Sequence, residues 1–267
     1  MRESLRLYGH YIAVSMRGQL QYRASFIMQC LGTLVMTGIE FFGIWALFSR
    51  FGNLRGWTLP EVALFYGMVN IAFSITDATG RGFDQFGQMV KAGDFDRLLL
   101  RPRGTVLQLA GQELTLRRVG RFTQALVVLI WACSALHLAL SPAHLLLLLA
   151  AILGGACFFY GLVILQATTA FWTTDSLEVF NILTYGGVNA AQYPINIYQA
   201  WFRRLFTYII PLAAVNYYPA LAIANHPDPL GSSHLFQWLS PLLGVGFLLV
   251  SLQVWKFGVR HYCSTGS

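Results

Sequence analysis

The chain is 267 residues long, 56% hydrophobic and only 11% charged, with a mean hydropathy of +0.55 and a net charge of +7. A soluble domain normally carries about a quarter charged residues, so a large soluble core is excluded and the chain reads as one all-α, polytopic membrane domain. Its cations cluster in short segments between apolar stretches, which fits membrane orientation and not a nucleic-acid partner.

Residues 1–24 hold Arg2, Arg6, Arg17 and Arg23, with Leu5, Tyr8, Ile12 and Met16 near helical spacing. They predict an amphipathic helix lying on the membrane surface, not a cleaved signal. Residues 26–48 form the first span, with one carboxylate, Glu40; a helix needs about 20 apolar residues to cross a bilayer. The loop 50–59 carries Trp57 as an expected interface anchor. Pro60 suits a helix start and opens the second span, 60–79.

The stretch 82–104 is the largest charged island, with Asp84, Lys91, Asp94, Asp96, Arg97, Arg101 and Arg103. It reads as two short amphipathic pieces. Phe83, Phe86, Met89 and Val90 share one helical face, and Gly93 stops that helix. Asp94 is a candidate N-cap for Phe95–Leu100, which Pro102 ends. Such a segment is too polar to cross and too apolar to float free, so it is expected at the interface or on a partner protein.

Thr105 and Gln108 have the spacing of a capping box. The helix they open is expected to run past Arg117, Arg118 and Arg121 into a third span, 122–140. Ser141-Pro142 makes a turn, and 143–172 is a fourth span without a charge.

Residues 174–224 admit two readings. By hydropathy 205–224 is the fifth span, although Pro211, Asn216 and Pro219 interrupt it. Alternatively 176–193 is the fifth span and 196–224 is an extracellular re-entrant hairpin, a form tolerated only where protein surrounds the backbone. Residues 236–255 are the sixth span in both. In the second reading fourteen of the eighteen Lys and Arg residues share a side with the termini, and Arg50, Arg55, Arg203 and Arg204 lie opposite. The first reading gives sixteen against two. Either places both termini and 82–104 in the cytoplasm.

Ionisable groups at membrane depth cost about 2.5–3.5 kcal/mol each on insertion scales and face a bundle interior or water. Glu40 is the deepest. It is either a cation or proton site, or a carboxylate bonded to a neighbouring helix. Two polar stripes are also legible. Asn70, Ser74 and Asp77 step along one face of the second span, and Glu178, Asn181, Tyr185, Asn189 and Gln192 along one face of 176–193. A polar stripe on a membrane helix lines a pathway or bonds another helix.

Catalytic machinery is not visible. There is no phosphate loop, no His-Glu-x-x-His zinc motif and no Gly-x-Ser-x-Gly elbow. Cys30, Cys133, Cys157 and Cys263 have no metal-ligand spacing. No catalytic residue, metal site or bound cofactor is expected, and any ATPase must be a separate polypeptide.

Four stretches carry a resemblance: Gly93-Asp-Phe-Asp-Arg-Leu-Leu-Leu-Arg-Pro102; Phe171-Trp-Thr-Thr-Asp-Ser-Leu-Glu-Val-Phe-Asn-Ile-Leu-Thr-Tyr-Gly-Gly187; Val215-Asn-Tyr-Tyr-Pro-Ala-Leu221; and His261-Tyr-Cys-Ser-Thr-Gly-Ser267. With them the chain resembles the permease subunits of bacterial type-2 ABC exporters, in the subfamily of about 260 residues; Cys263 stands where a polar residue is usual. The resemblance implies six spans, and Tyr193-Pro194, Trp201 and Pro211 favour the hairpin reading. It implies that the segment between spans two and three couples to an ABC ATPase, with Phe95 and Leu98 filling the docking pocket and Asp94, Asp96, Arg97 and Arg101 at its rim. Spans two and five would line a path between this chain and a second permease, the same or a sister chain. The location would be the bacterial inner membrane, in contact with lipid, and the substrate a small lipophilic or cationic compound. ATP and Mg would bind the partner ATPase. The alternative is a proton-coupled carrier working through Glu40 and Asp77.

Overall fold

The computed structural model describes residues 9, 13–14, 16–19, 21–112, 115, 118–138, 141–173 and 177–263. Most of the expected surface helix at 1–24 lies outside them. Every regular element among the described residues is helical.

Helix α1 (Arg23–Phe51) contains the first expected span and ends at Gly52, whose positive φ lets its N–H close on the Phe48 carbonyl. It buries only Thr37, Ile44 and Phe48 and turns Ile27, Leu31, Val35, Ile39 and Phe42 outward. Helix α2 (Leu59–Thr79) is the opposite case. Every residue from Val62 to Ser74 is buried, as expected of a helix that is apolar all round and central to its domain. Its start is firm because Glu61 accepts from both the backbone N–H and the hydroxyl of Thr58 (2.7 and 2.8 Å), with Pro60 in the first turn.

The next stretch is broken into α3 (Arg81–Asp84), α4 (Phe86–Lys91), α5 (Asp94–Leu99) and α6 (Thr105–Ala110). Gly93, at φ 73°, supplies the left-handed turn that separates α4 from α5. The N-caps of α5 and α6 are glycines, Gly93 and Gly104, and not Asp94 and Thr105. No capping box forms at Thr105, because its hydroxyl accepts from the Trp255 indole N–H (2.9 Å). The Gln108 amide instead donates to the Leu98 and Arg103 carbonyls (3.2 and 2.9 Å). Nor does the helix run on to the third span. It stops at Gly111, and the Thr115 N–H donates to the Ala78 carbonyl at the end of α2 (2.9 Å).

Helix α7 (Val119–Ala135) and helix α8 (Pro142–Thr169) follow, the latter capped by the Ser141 hydroxyl. Helix α9 (Leu177–Ala191) is continuous. After a 3-10 turn at Ile195–Ile197, α10 (Ala200–Arg204) runs into a π turn, Leu205–Ile209. The chain then bends by 72° at Ile210-Pro211 before α11 (Leu212–Val215) and α12 (Tyr217–Ala224). The interval 205–224 is therefore not one straight helix, because Pro211 cannot continue it. Helix α13 (His234–Leu239) and helix α14 (Leu242–Arg260) complete the described chain, separated at Ser240-Pro241.

Among the described residues four helices, α1, α2, α8 and α14, are long and apolar enough to cross a membrane, or five if the bent pair α10–α12 counts as one span. Helices α7 and α9, at 17 and 15 residues, fall short of the length a perpendicular crossing takes.

Trp57 is not an interface anchor. It is 2% exposed, stacks on His226 with ring centroids 4.1 Å apart, and donates to the Asn196 side chain (3.1 Å). The turn before α2 is thereby fastened to the residues after α9 and after α12.

Packing divides into a large cluster around α2 and a smaller one beneath α3–α6, and α8 contributes to both. Helices α8 and α14 come close enough that a Cβ on Gly244 would meet the Gly154 carbonyl, and one on Gly154 would meet the Pro241 carbonyl at 2.5 Å. Lipid tails supply no hydrophobic drive between helices, so close packing of this kind holds them together. Gly244→Ala is expected to cost about 1–3 kcal/mol by overpacking, read as a lower thermal midpoint in detergent. Gly246→Ala, where the added Cβ meets nothing within 4 Å, leaves the midpoint unchanged.

Candidate functional site

The 82–104 segment folds onto the bundle by its aromatic side. Phe83, Phe86 and Phe95 are fully buried, and Met89 and Val90 nearly so. Outside the bilayer, burying a side chain of this size contributes about 1.5–3 kcal/mol. Phe95 sits in a box of rings, edge-on to Phe86 and Tyr262 (both 5.0 Å between centroids) and near Phe171 (5.6 Å) and Trp255 (6.5 Å). The box joins α4 and α5 to the end of α8 and to α14.

This corrects the expectation for Phe95. It is an anchor in the protein's own core, out of reach of any docked partner, because the helical phase that buries Phe86 also buries Phe95 across the Gly93 turn. Leu98 is half-buried. The outward residues are Leu99 (42% exposed) and Leu100 (85%), with Asp94, Arg97, Arg101 and Arg103 around them; Asp96 is half-buried. Arg97 pairs with Asp94 at 3.6 Å, both well exposed, so the pair adds little. An open pocket of about 410 Å³ lies beside them, lined by Met89, Asp94, Arg97, Leu98, Arg101 and Gln108.

Where α2 meets this segment, two arginines of α7 and its preceding turn answer the two deep carboxylates. Arg118 Nε lies 2.7 Å from Asp77 Oδ2, a charge contact that is not a well-aligned hydrogen bond. Arg121 lies 3.7 Å from Glu40 and 5.3 Å above the Phe73 ring. The Tyr66 hydroxyl lies within hydrogen-bond distance of the Thr37 carbonyl (3.0 Å) and the Gln124 side chain (3.2 Å), which ties α2 to α1 and α7.

The two polar stripes have different surroundings. Asn70, Ser74 and Asp77 are buried within the chain. Asn70 donates to the Tyr66 carbonyl and Ser74 to the Asn70 carbonyl (2.9 and 2.6 Å), so their donor groups turn back onto their own helix, while the buried Asn70 Oδ1 has no hydrogen-bond partner. On α9, Tyr185 (44% exposed) and Asn189 share an outward face with Ile182, while Gln192 is buried. The side chains of Glu178 and Asn181 lie outside the described residues.

At the opposite end Glu61 lies 3.8 Å from His226. Asp228 accepts from Tyr217, Leu230 and Ser232 (3.0, 3.0 and 2.8 Å). Burial pushes the Asp228 carboxyl up, but the bonds from Ser232, Leu230 and Tyr217 outweigh it and hold it below its ordinary value.

Sequence reasoning missed Arg118 and Arg121 as partners, and it missed Trp255, Tyr262 and Gln108 as the fittings of the segment. The arginines had a signal. Two carboxylates inside apolar helices need two cations, and Arg118 and Arg121 sit one turn apart where a span begins. Trp255 had none beyond its type.

Residues 34–266 match a family described as ABC-2 family transporter protein, and the chain belongs to that family. It is a membrane component of an ABC transporter, and the family works with an ABC ATPase. No curated protein and no solved structure gives a significant match.

Removing the cation from a buried pair costs about 3–5 kcal/mol. Arg118→Gln is therefore expected to lower the thermal midpoint sharply, and Asp77→Asn added to it should restore most of the loss. A double variant as unstable as the single one would show that Arg118 acts by packing alone.

Proposed function

We propose that this ABC-2 family member is the permease of an ATP-driven exporter in the bacterial inner membrane, with six crossings, both termini cytoplasmic and an extracellular hairpin at 196–224. A separate ATPase binds ATP and Mg. With a second permease, the same or a sister chain, it forms the path for a small lipophilic or cationic compound.

The observation that carries this reading is the two-sidedness of 82–104. One side is locked to α8 and α14 through the Phe95 box; the other offers Leu99 and Leu100 within a ring of charge. A segment built this way can dock and transmit force without bending. When ATP closes the ATPase pair, the segment moves as a rigid lever, pulling α2 through Gly80 and α8 and α14 through the aromatic box, and the bundle swings between two packings. The outward face of α9 supports a paired permease. Tyr185 and Asn189 are poorly suited to lipid, and a second permease gives them a partner and a path to line.

The carrier reading has less support. Glu40 and Asp77 each face an arginine, so each charge already has a partner within the chain.

Affinity purification from native membranes in mild detergent, with mass spectrometry, tests the docking assignment. Leu99→Asp with Leu100→Asp should reduce the co-purifying ATPase at least about tenfold, the effect of about 1.4 kcal/mol, with the permease's thermal midpoint unchanged. Phe95→Ala should lower the midpoint itself, by about 3–5 kcal/mol in stability. ATPase recovery unaffected by the two aspartates would sink the docking face.

A further inference from the structure

At the junction of α2 and the docking segment lies a small, partly enclosed cavity. It offers about 10 Å³, the room one water molecule needs. Thr76 and Asp77 of α2, Asp84 of α3, Gln166 of α8, and Thr184 and Tyr185 of α9 border it.

The two carboxylates in its wall are not alike. Asp77 is matched by Arg118 at 2.7 Å. Asp84 has no cation within ion-pair distance among the described residues. Burial, and next the charge of Asp77, push the Asp84 carboxyl up to about 6, against weaker opposing effects of Arg81 and Arg118. An independent feature points to an occupant. Thr184 is 3% exposed, and its hydroxyl, on the same cavity, has no hydrogen-bond partner. Leaving such a group unsatisfied is costly, and one water at this place would satisfy it.

We propose that the cavity is a proton-binding site, in which one water joins the Thr184 hydroxyl to the Asp84 carboxyl. On release the O–H bond of the carboxyl breaks, the proton passes to the water and leaves as hydronium, and the carboxylate keeps the electron pair. Among the described residues the charged groups around Asp84 are Asp77 from α2, Arg81 from its own helix and Arg118 from the turn before α7; α8 and α9 contribute the neutral Gln166, Thr184 and Tyr185.

The folded carboxyl titrates above a free one, near 3.9. The folded state therefore binds more protons between about pH 4 and 6, and stability falls as pH rises through that window. Above it Asp84 is ionised beside Asp77, and the first turn of the docking segment is pushed outward; below it the neutral carboxyl seats that turn. Acidification on that side stiffens the segment. The site stands on its own geometry, and only its effect on transport rests on the docking role.

The test uses the full chain in detergent, with an infrared titration of the protonated-carboxyl band from pH 4.5 to 8 and amide hydrogen exchange over 81–93. A band lost near pH 6 and missing in Asp84→Asn is expected, with exchange of 81–93 slowing at acid pH in the wild type relative to that variant. Thr184→Val, which keeps both carboxylates, should move the midpoint upward by about half to one pH unit, the worth of roughly one hydrogen bond. No band at pH 5, or an unchanged band in Asp84→Asn, overturns the proton site. An unmoved midpoint in Thr184→Val overturns the water link. None of these readouts involves the ATPase, so failure here leaves the docking reading untouched.

Discussion

Two carboxylates lie inside helices that are otherwise apolar, and the arrangement of the bundle follows from matching them. Asp77 on α2 and Glu40 on α1 each need a cation that the membrane cannot supply. Arg118 and Arg121 deliver both from one end of α7. That fixes the rotation of α7 against α2 and gives α1, which buries little else, a reason to stay where it is. The Tyr66 hydroxyl, bonded to both neighbours, holds the same three helices from the central one. Ion pairs at such depth add less to stability than to register, because any shift of a helix by one residue leaves a charge stranded.

A second constraint operates where the chain leaves the bundle. The short helices α3 to α6 are each too brief to be stable alone. They are ordered by what they bury, three phenylalanines and their neighbours, under the ends of α8 and α14. Side-chain amides finish the job, with Gln108 closing the turn between α5 and α6. Rigidity here is therefore tertiary.

Much of this was legible beforehand. The long apolar runs give α1, α2, α8 and α14 directly, and the spacing of Phe83, Phe86, Met89 and Val90 names the buried face of the first short helix. Phe95 was misplaced for a definite reason. Local periodicity says which side of a helix is apolar but not whether that side meets the chain's own core or a partner. The residues that decide it, Trp255 and Tyr262, are remote in sequence. Trp57 reads as an anchor in the same way, since an aromatic near a membrane boundary gives no sign of its stacking partner, His226, which the bent stretch α10–α12 brings beside it. The stripe on α2 was visible, yet its hydroxyl and amide turn back onto their own helix, which spacing does not reveal.

The fittings of the docking segment also set a timetable for its birth. The Trp255 indole that bonds to Thr105 lies 150 residues further along the chain, and Tyr262, which closes the box on Phe95, comes later still. As the polypeptide emerges from the ribosome, α3 to α6 are made early, find α8 next, and are not fully seated until α14 has been inserted. The surface of this segment is thus among the last parts of the molecule to take shape. On the docking role proposed above, a half-made chain has no finished lever to offer.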